Sequence, residues 1–134
     1  MEKIRNRTKE LLKNSYGVYS KVFVSSLIET EIGNFEGVNV ENPAFGETIC
    51  AEKNAILNAV TNGMKPGQLK KVHINSSVKG FLPPCGSCRQ VISEFVNENT
   101  SIVLHDSDKN KSIEILFIDL FPYTVNKKSF DVFE

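Results

Sequence analysis

The chain opens with Ile4, Leu11 and Leu12 at helical spacing among polar residues, which predicts an amphipathic helix over 2–14. Asn14-Ser15-Tyr16-Gly17 ends it. From Ser20 to Thr30 the period changes to two. Val22, Val24, Ser26 and Ile28 share one face and Phe23, Ser25 and Leu27 the other, as in a strand. Glu31-Ile32-Gly33-Asn34 reads as a turn, and residues 35–40 as the second strand of a hairpin. Pro43 and Gly46 make 41–49 a loop. Helical spacing returns from about Cys50 to Asn62. Ala51, Ala55, Ile56, Ala59 and Val60 form its apolar face, and Gly63 suits its C-terminal cap.

After a loop at 64–68, Leu69 to Ser76 reads as a strand around Val72, His73 and Ile74. Phe81-Leu82-Pro83-Pro84 leads into a helix from about Gly86 to Asn97, with Val91, Ile92, Phe95 and Val96 apolar. Strands at 101–105 and 112–116 flank the polar turn 106–110. A short helical turn over 117–121 stops at Pro122, and Val125, Phe130, Val132 and Phe133 leave the tail apolar enough to pack. The order α-β-β-α-β-α-β-β suits parallel crossovers between Cys50 and His105, with the hairpin as a mixed edge. The expected fold is α/β: a three-layer α-β-α sandwich with a mixed five-stranded sheet, one domain over 1–134.

Composition narrows the function. With 134 residues, 40% hydrophobic and 24% charged, the chain is an ordinary soluble domain able to bury a core. Zero formal net charge argues against nucleic acid as a partner. Lys3, Arg5, Arg7, Lys9 and Lys13 are interleaved with Glu2 and Glu10, the pattern of a solvated helix face. No apolar run is long enough to cross a bilayer, and the N-terminus lacks the apolar centre of a signal peptide, so no membrane is expected. A reducing, cytoplasmic setting is the expectation. There the three cysteines read as metal ligands or buried apolar residues rather than disulfides.

Two short segments carry the chemistry. Cys50-Ala51-Glu52 opens one predicted helix and Pro84-Cys85-Gly86-Ser87-Cys88 opens another. Three thiolates complete a three-ligand zinc site, and tetrahedral zinc keeps a fourth position for water. His73 and His105 stand in strand-like runs without ligand spacing and read as surface or core residues. Unpaired N–H groups at both helix starts offset the negative charge of three thiolates. Lys53 is either an exposed helix lysine or a second offsetting charge. Glu52, two residues from a ligand, is placed to move a proton to or from the metal's water.

These residues resemble a known family. Cys50-Ala51-Glu52 with Pro84-Cys85-Gly86-Ser87-Cys88-Arg89-Gln90-Val91 is similar to the small, all-cysteine cytidine deaminases. Tyr19-Ser20-Lys21-Val22-Phe23-Val24 resembles that family's first strand, Gly37-Val38-Asn39-Val40-Glu41-Asn42 its ribose-binding segment, and Leu120-Phe121-Pro122 its closing turn. The resemblance implies the cytidine deaminase fold, one Zn²⁺ per subunit on Cys50, Cys85 and Cys88, and Glu52 as proton shuttle. It implies that Asn39 and Glu41 hold the ribose and that the Ala51 backbone helps read the cytosine ring. An amide and a carboxylate two residues apart on a strand point the same way. The family usually has Phe where Val22 stands, Tyr where Phe45 stands, Arg where Lys53 stands and often Phe where Val125 stands. Two of these aromatics usually line the nucleoside pocket, one of them from a neighbouring subunit. Phe130 and Phe133 are the candidate replacements.

The implied activity is hydrolytic deamination of cytidine and 2′-deoxycytidine to the uridine forms with release of ammonia, in pyrimidine salvage. The implied assembly is a homo-oligomer, a tetramer. The alternatives are a deaminase of a modified nucleoside of the blasticidin type, which Asp106-Ser107-Asp108 resembles but Glu41 disfavours, and a non-catalytic zinc-stabilised binding module. Polynucleotide editing is disfavoured by the zero net charge.

Overall fold

A computed structural model describes the backbone of residues 1–133 and the side chains of residues 1–130. The first helix, α1 (Glu2–Leu11), tightens into a 3₁₀ turn over Leu12–Asn14. The hairpin strands are β1 (Val24–Thr30) and β2 (Gly33–Val38). β1 starts later than the alternating pattern suggests, and β2, expected over 35–40, runs two residues earlier at the same length. Lys21 takes a left-handed φ of 62°. The Asn39 side chain accepts from the Val24 N–H and donates to the Val22 carbonyl, both at 2.9 Å, so these groups are bonded to a side chain. Beyond β2, Val40 makes isolated bridges to Tyr16 and Ile49.

The remaining elements are α2 (Ala51–Thr61), β3 (Leu69–Ser76), α3 (Gly86–Ser93), β4 (Val96–Asp106), β5 (Lys111–Leu116) and α4 (Phe117–Leu120). The sheet is mixed and five-stranded in the order β2-β1-β3-β4-β5. Only β3 and β4 pair in parallel, through the α3 crossover; the other neighbours are antiparallel. β4 begins at Val96, where a longer α3 is expected from the apolar run. The cause is a bulge: Leu69 pairs with Val96 but Lys71 with Ser101. Thr100 closes it, accepting from Asn97 N–H at 2.8 Å and donating to Leu69 carbonyl at 2.7 Å.

Alternation along the strands gives the sheet two different faces. Ile28, Val72, Ile74, Ile102 and Leu104 meet Ala55, Ile56 and Ala59 of α2 and Ile92 of α3 in one apolar core. Each large side chain there contributes roughly 1.5–3 kcal/mol by leaving water. Val60, expected on this face, is 40% exposed beside Leu57. The opposite face carries α1. Ser25 donates to the Thr8 carbonyl at 2.6 Å, and Asn75 donates to Thr8 Oγ1 at 3.1 Å. With α1 on one side and α2 and α3 on the other, the three-layer α/β expectation holds.

On the α1 face a row of polar side chains, centred on the buried His73 and His105, crosses the sheet. Arg5 Nη1 lies 2.8 Å from Ser112 Oγ, and Ser112 Oγ lies 2.7 Å from His105 Nδ1. His105 Nε2 lies 2.9 Å from His73 Nδ1, and His73 Nε2 lies 2.5 Å from Glu29 Oε2. Burial lowers both histidine pKa values and keeps the rings neutral. A carboxylate only accepts. With one proton per ring, every bond then runs from Arg5 towards Glu29, and both histidines are protonated on Nε2.

Candidate active site

Two helix starts bring the predicted metal ligands together. Cys50 is the N-cap of α2 and Cys85 the N-cap of α3, both with extended backbone. Cys85 Sγ accepts from the Cys88 N–H at 3.5 Å. The three sulfurs lie within 4.8 Å of one another. Zinc–sulfur bonds of about 2.3 Å in a tetrahedron set the sulfurs roughly 3.8 Å apart, so the group fits zinc. The donor set points the same way. The Cys88 thiol donates to the Cys50 sulfur and holds the Cys50 thiol down at about 6, with Lys53 helping. The same hydrogen bond, with burial, pushes Cys88 up. A divalent cation relieves this competition by binding all three as thiolates.

Next to this group lies a cavity of about 380 Å³. Val22, Asn39, Glu41, Ala51, Glu52, Cys50 and Cys85, all singled out in the sequence, line it. So do Ser20, Val24, Thr48, Ile74, Leu82 and Pro83, which sequence reasoning did not select. Only Ser20 and Val24 stood within a quoted motif. Glu52 is buried in the first turn of α2. Burial, and then the nearby Cys50 sulfur, lift its carboxyl above the ordinary glutamate range.

Asn39 and Glu41 sit past the end of β2 rather than on it, on opposite sides of the Val40 bridges. Asn39 Oδ1 accepts from Val24 N–H and Ser15 Oγ, and one Nδ2 hydrogen goes to Val22. Glu41 accepts from the Tyr19 and Ser20 N–H groups and from Ser20 Oγ. These bonds, led by the Ser20 hydroxyl, hold the Glu41 carboxyl below its usual range.

Residues 1–104 match the family described as the cytidine and deoxycytidylate deaminase zinc-binding region. The chain belongs to this deaminase family. It is 34% identical over 124 residues to the cytidine deaminase of Mycoplasma genitalium, covering 90% of this chain and 95% of that one. It is 35% identical over 105 residues to the cytidine deaminase of Sporosarcina psychrophila, covering 78% and 76%. A crystal structure of cytidine deaminase from Burkholderia pseudomallei superposes with a TM-score of 0.82 at 30% identity, covering 90% of this chain and 94% of that one. The family's zinc-binding region and the three-cysteine group together fit one Zn²⁺ per subunit.

The departures from the usual family residues have distinct surroundings. Val22 lines the cavity. Phe45 does not. It is 77% exposed on a 3₁₀ turn over Phe45–Glu47, edge-on to Tyr19 at 6.5 Å. It lines an adjoining hollow with Tyr19, Ser20, Glu41 and Thr48. Lys53 reaches across from α2 to α3, donating from Nζ to Ser87 Oγ at 2.6 Å. Val125 is exposed, and its carbonyl accepts from Gln90 Nε2 at 3.0 Å. Phe130 is exposed and does not line the cavity. The Phe133 side chain lies outside the described residues.

Proposed function

We propose that this protein deaminates cytidine and 2′-deoxycytidine hydrolytically, giving uridine or 2′-deoxyuridine and ammonia. The carrying observation is that a buried carboxylate, two thiols of a zinc-fitting group and two sugar-binding candidates open onto one cavity. Zinc bound by Cys50, Cys85 and Cys88 supplies Lewis acidity and makes water a nucleophile near neutral pH. Glu52 takes a proton from the attacking water and gives it to the ring nitrogen beside the amino-bearing carbon. After the carbon–oxygen bond forms, Glu52 carries a second proton to the amino group. The carbon–nitrogen bond then breaks, leaving the uracil carbonyl and ammonia.

The sugar end follows from counting bonds. A carboxylate offers about four acceptor positions, and Glu41 has used three. Asn39 has one amide hydrogen left after bonding Val22. One acceptor and one donor suit one ribose hydroxyl, which both donates and accepts. The Ala51 backbone lies at the cavity wall and is assigned to the base. Lys53, through Ser87 and its charge, steadies the thiolates.

Among the described residues lining the cavity no side chain is aromatic. This supports two statements. A neighbouring subunit supplies a ring in a homotetramer, consistent with the exposed apolar Tyr19, Phe45, Leu57 and Val60. A modified cytosine nucleoside of the blasticidin type is the second reading. No helix among the described residues is long and apolar enough to cross a membrane. Three reduced thiols suit a cytoplasmic enzyme of pyrimidine salvage, a single domain over 1–134. A panel of nucleosides, with ammonia release followed with and without a zinc chelator, tests the reading. Chelator-sensitive turnover of cytidine is expected. Turnover only of bases other than cytosine would overturn it.

A further inference from the structure

Of the three arginines, Arg5 meets Ser112 and Arg7 meets Glu36, whereas Arg89 gives its guanidinium to main-chain carbonyls. Arg89 Nε donates to the Pro84 carbonyl at 2.8 Å and Nη1 to the Leu120 carbonyl at 2.7 Å. The Arg89 backbone N–H meanwhile donates to the Cys85 carbonyl at 2.9 Å. One residue thus grips the Pro84–Cys85 segment twice and ties it to the end of α4.

This grip falls where the metal group is least supported. Cys88 is buried within α3, and Cys50 adjoins the fully buried Ala51. Cys85 is exposed and precedes its helix. The chain reaches it through Leu82 and Pro83, which wall the cavity, and Pro84, which is buried. The planar guanidinium holds two diverging donors at a fixed angle, whereas a lysine ammonium is a point charge on a flexible stem. A cation near the start of α3 also opposes the helix dipole, so local helix stability does not explain its placement.

We propose that Arg89 is a positioning residue of the metal site, locking the Pro84–Cys85 segment onto the end of α4 so that the Cys85 sulfur keeps its place opposite Cys50 and Cys88. This rests on the zinc reading above. Groups that orient metal ligands typically control affinity by about 10–100-fold.

The test uses the zinc-loaded full-length protein and its R89K, R89Q and Q90A variants. Gln90 is the control, because its side-chain amide ties the same helix to the tail at Val125 rather than to the Pro84–Cys85 segment. Zinc release to a chromogenic chelator is followed by stopped flow, with melting temperature and cytidine kinetics alongside. R89K and R89Q are expected to release zinc about 10–100-fold faster, with kcat reduced more than KM is raised. Q90A should release zinc at the parental rate. Should R89Q fail to fold, R89K is read against the same limits. Parental release rates in the Arg89 variants, or equal acceleration in Q90A, would overturn the proposal alone. A parental protein that purifies without zinc and takes none up would overturn both this proposal and the zinc reading.

Discussion

Gly37 of β2 lies directly beneath Ala55 of α2: a methyl group at Gly37 would sit 2.5 Å from the Ala55 amide nitrogen and 2.7 Å from the Ala51 carbonyl. No ordinary contact is that short, so only glycine lets strand and helix backbones approach this closely. The contact has a functional consequence. β2 leads to Asn39 and Glu41, and α2 begins at Cys50 and carries Glu52. Gly37 therefore sets the spacing between Asn39 and Glu41, proposed to hold the sugar, and the Cys50 end of the cavity. Gly37→Ala should cost about 1–3 kcal/mol in urea unfolding, and at temperatures where it is folded its KM should rise. Wild-type stability and KM would count against this role.

Glu52→Gln keeps the shape of the side chain but removes its ability to carry protons. Turnover should fall by about 10²–10⁴-fold, while zinc content, measured by atomic emission, stays at the parental level. Full activity would exclude Glu52 as the shuttle. Loss of zinc would make it part of the metal's support instead.

Chelation should act on stability as well as activity. A metal that binds only the folded chain stabilises it by about 4 kcal/mol at a thousandfold excess over its Kd. The melting temperature should therefore fall on treatment with a strong chelator and recover with added zinc. Magnesium should not restore it, since it selects oxygen donors rather than thiolates. An unchanged melting curve after proven zinc removal would contradict this coupling.

The buried histidine pair predicts a loss of stability in mild acid. Burial, then His73, Arg5 and the N-terminus, push the His105 pKa from 6.5 down to about 4. Burial also lowers His73, although Glu29 and Glu114 pull it up while Lys71 pushes it down. The unfolded chain therefore binds protons that the folded chain refuses. The histidine contribution to stability should be flat above about pH 7 and fall from about pH 6.5 towards pH 4. At about 1.4 kcal/mol per displaced unit, His105 accounts for a loss on the order of 3 kcal/mol. The lowered carboxylates Glu36, Glu41 and Glu114 titrate below about pH 5. Cys50, at about 6, and the raised Glu52 titrate alongside the histidines. The His105 share is therefore read as the difference between parental and His105→Gln urea titrations between about pH 5 and 7. The parental protein should lose more stability than His105→Gln as the pH falls from about 7 to about 5, and parallel profiles would refute the account. Nitrogen NMR should find both histidines protonated on Nε2.

Spacing along the chain was enough to read the helix carrying Cys50 and Glu52, the Cys85–Cys88 pair and the order of the strands. Those features rest on short-range physics: helical and alternating periods, helix caps, and the ligand chemistry of thiolates. The sequence resemblance also pointed to Val22, Asn39, Glu41 and Ala51, all of which line the cavity. What it left open depends on contacts between distant residues. Leu82 and Ile74 reach the cavity only because β3 and the segment before α3 meet there, and Phe45, set edge-on to Tyr19, lines the adjoining hollow instead. The bulge that starts β4 early is set by pairing with Leu69, and the glycine required at position 37 by a helix fourteen residues further on. Residue type and local period thus determined what chemistry the chain can perform. Packing across the sheet decided where its atoms stand, because those distances belong to no single segment.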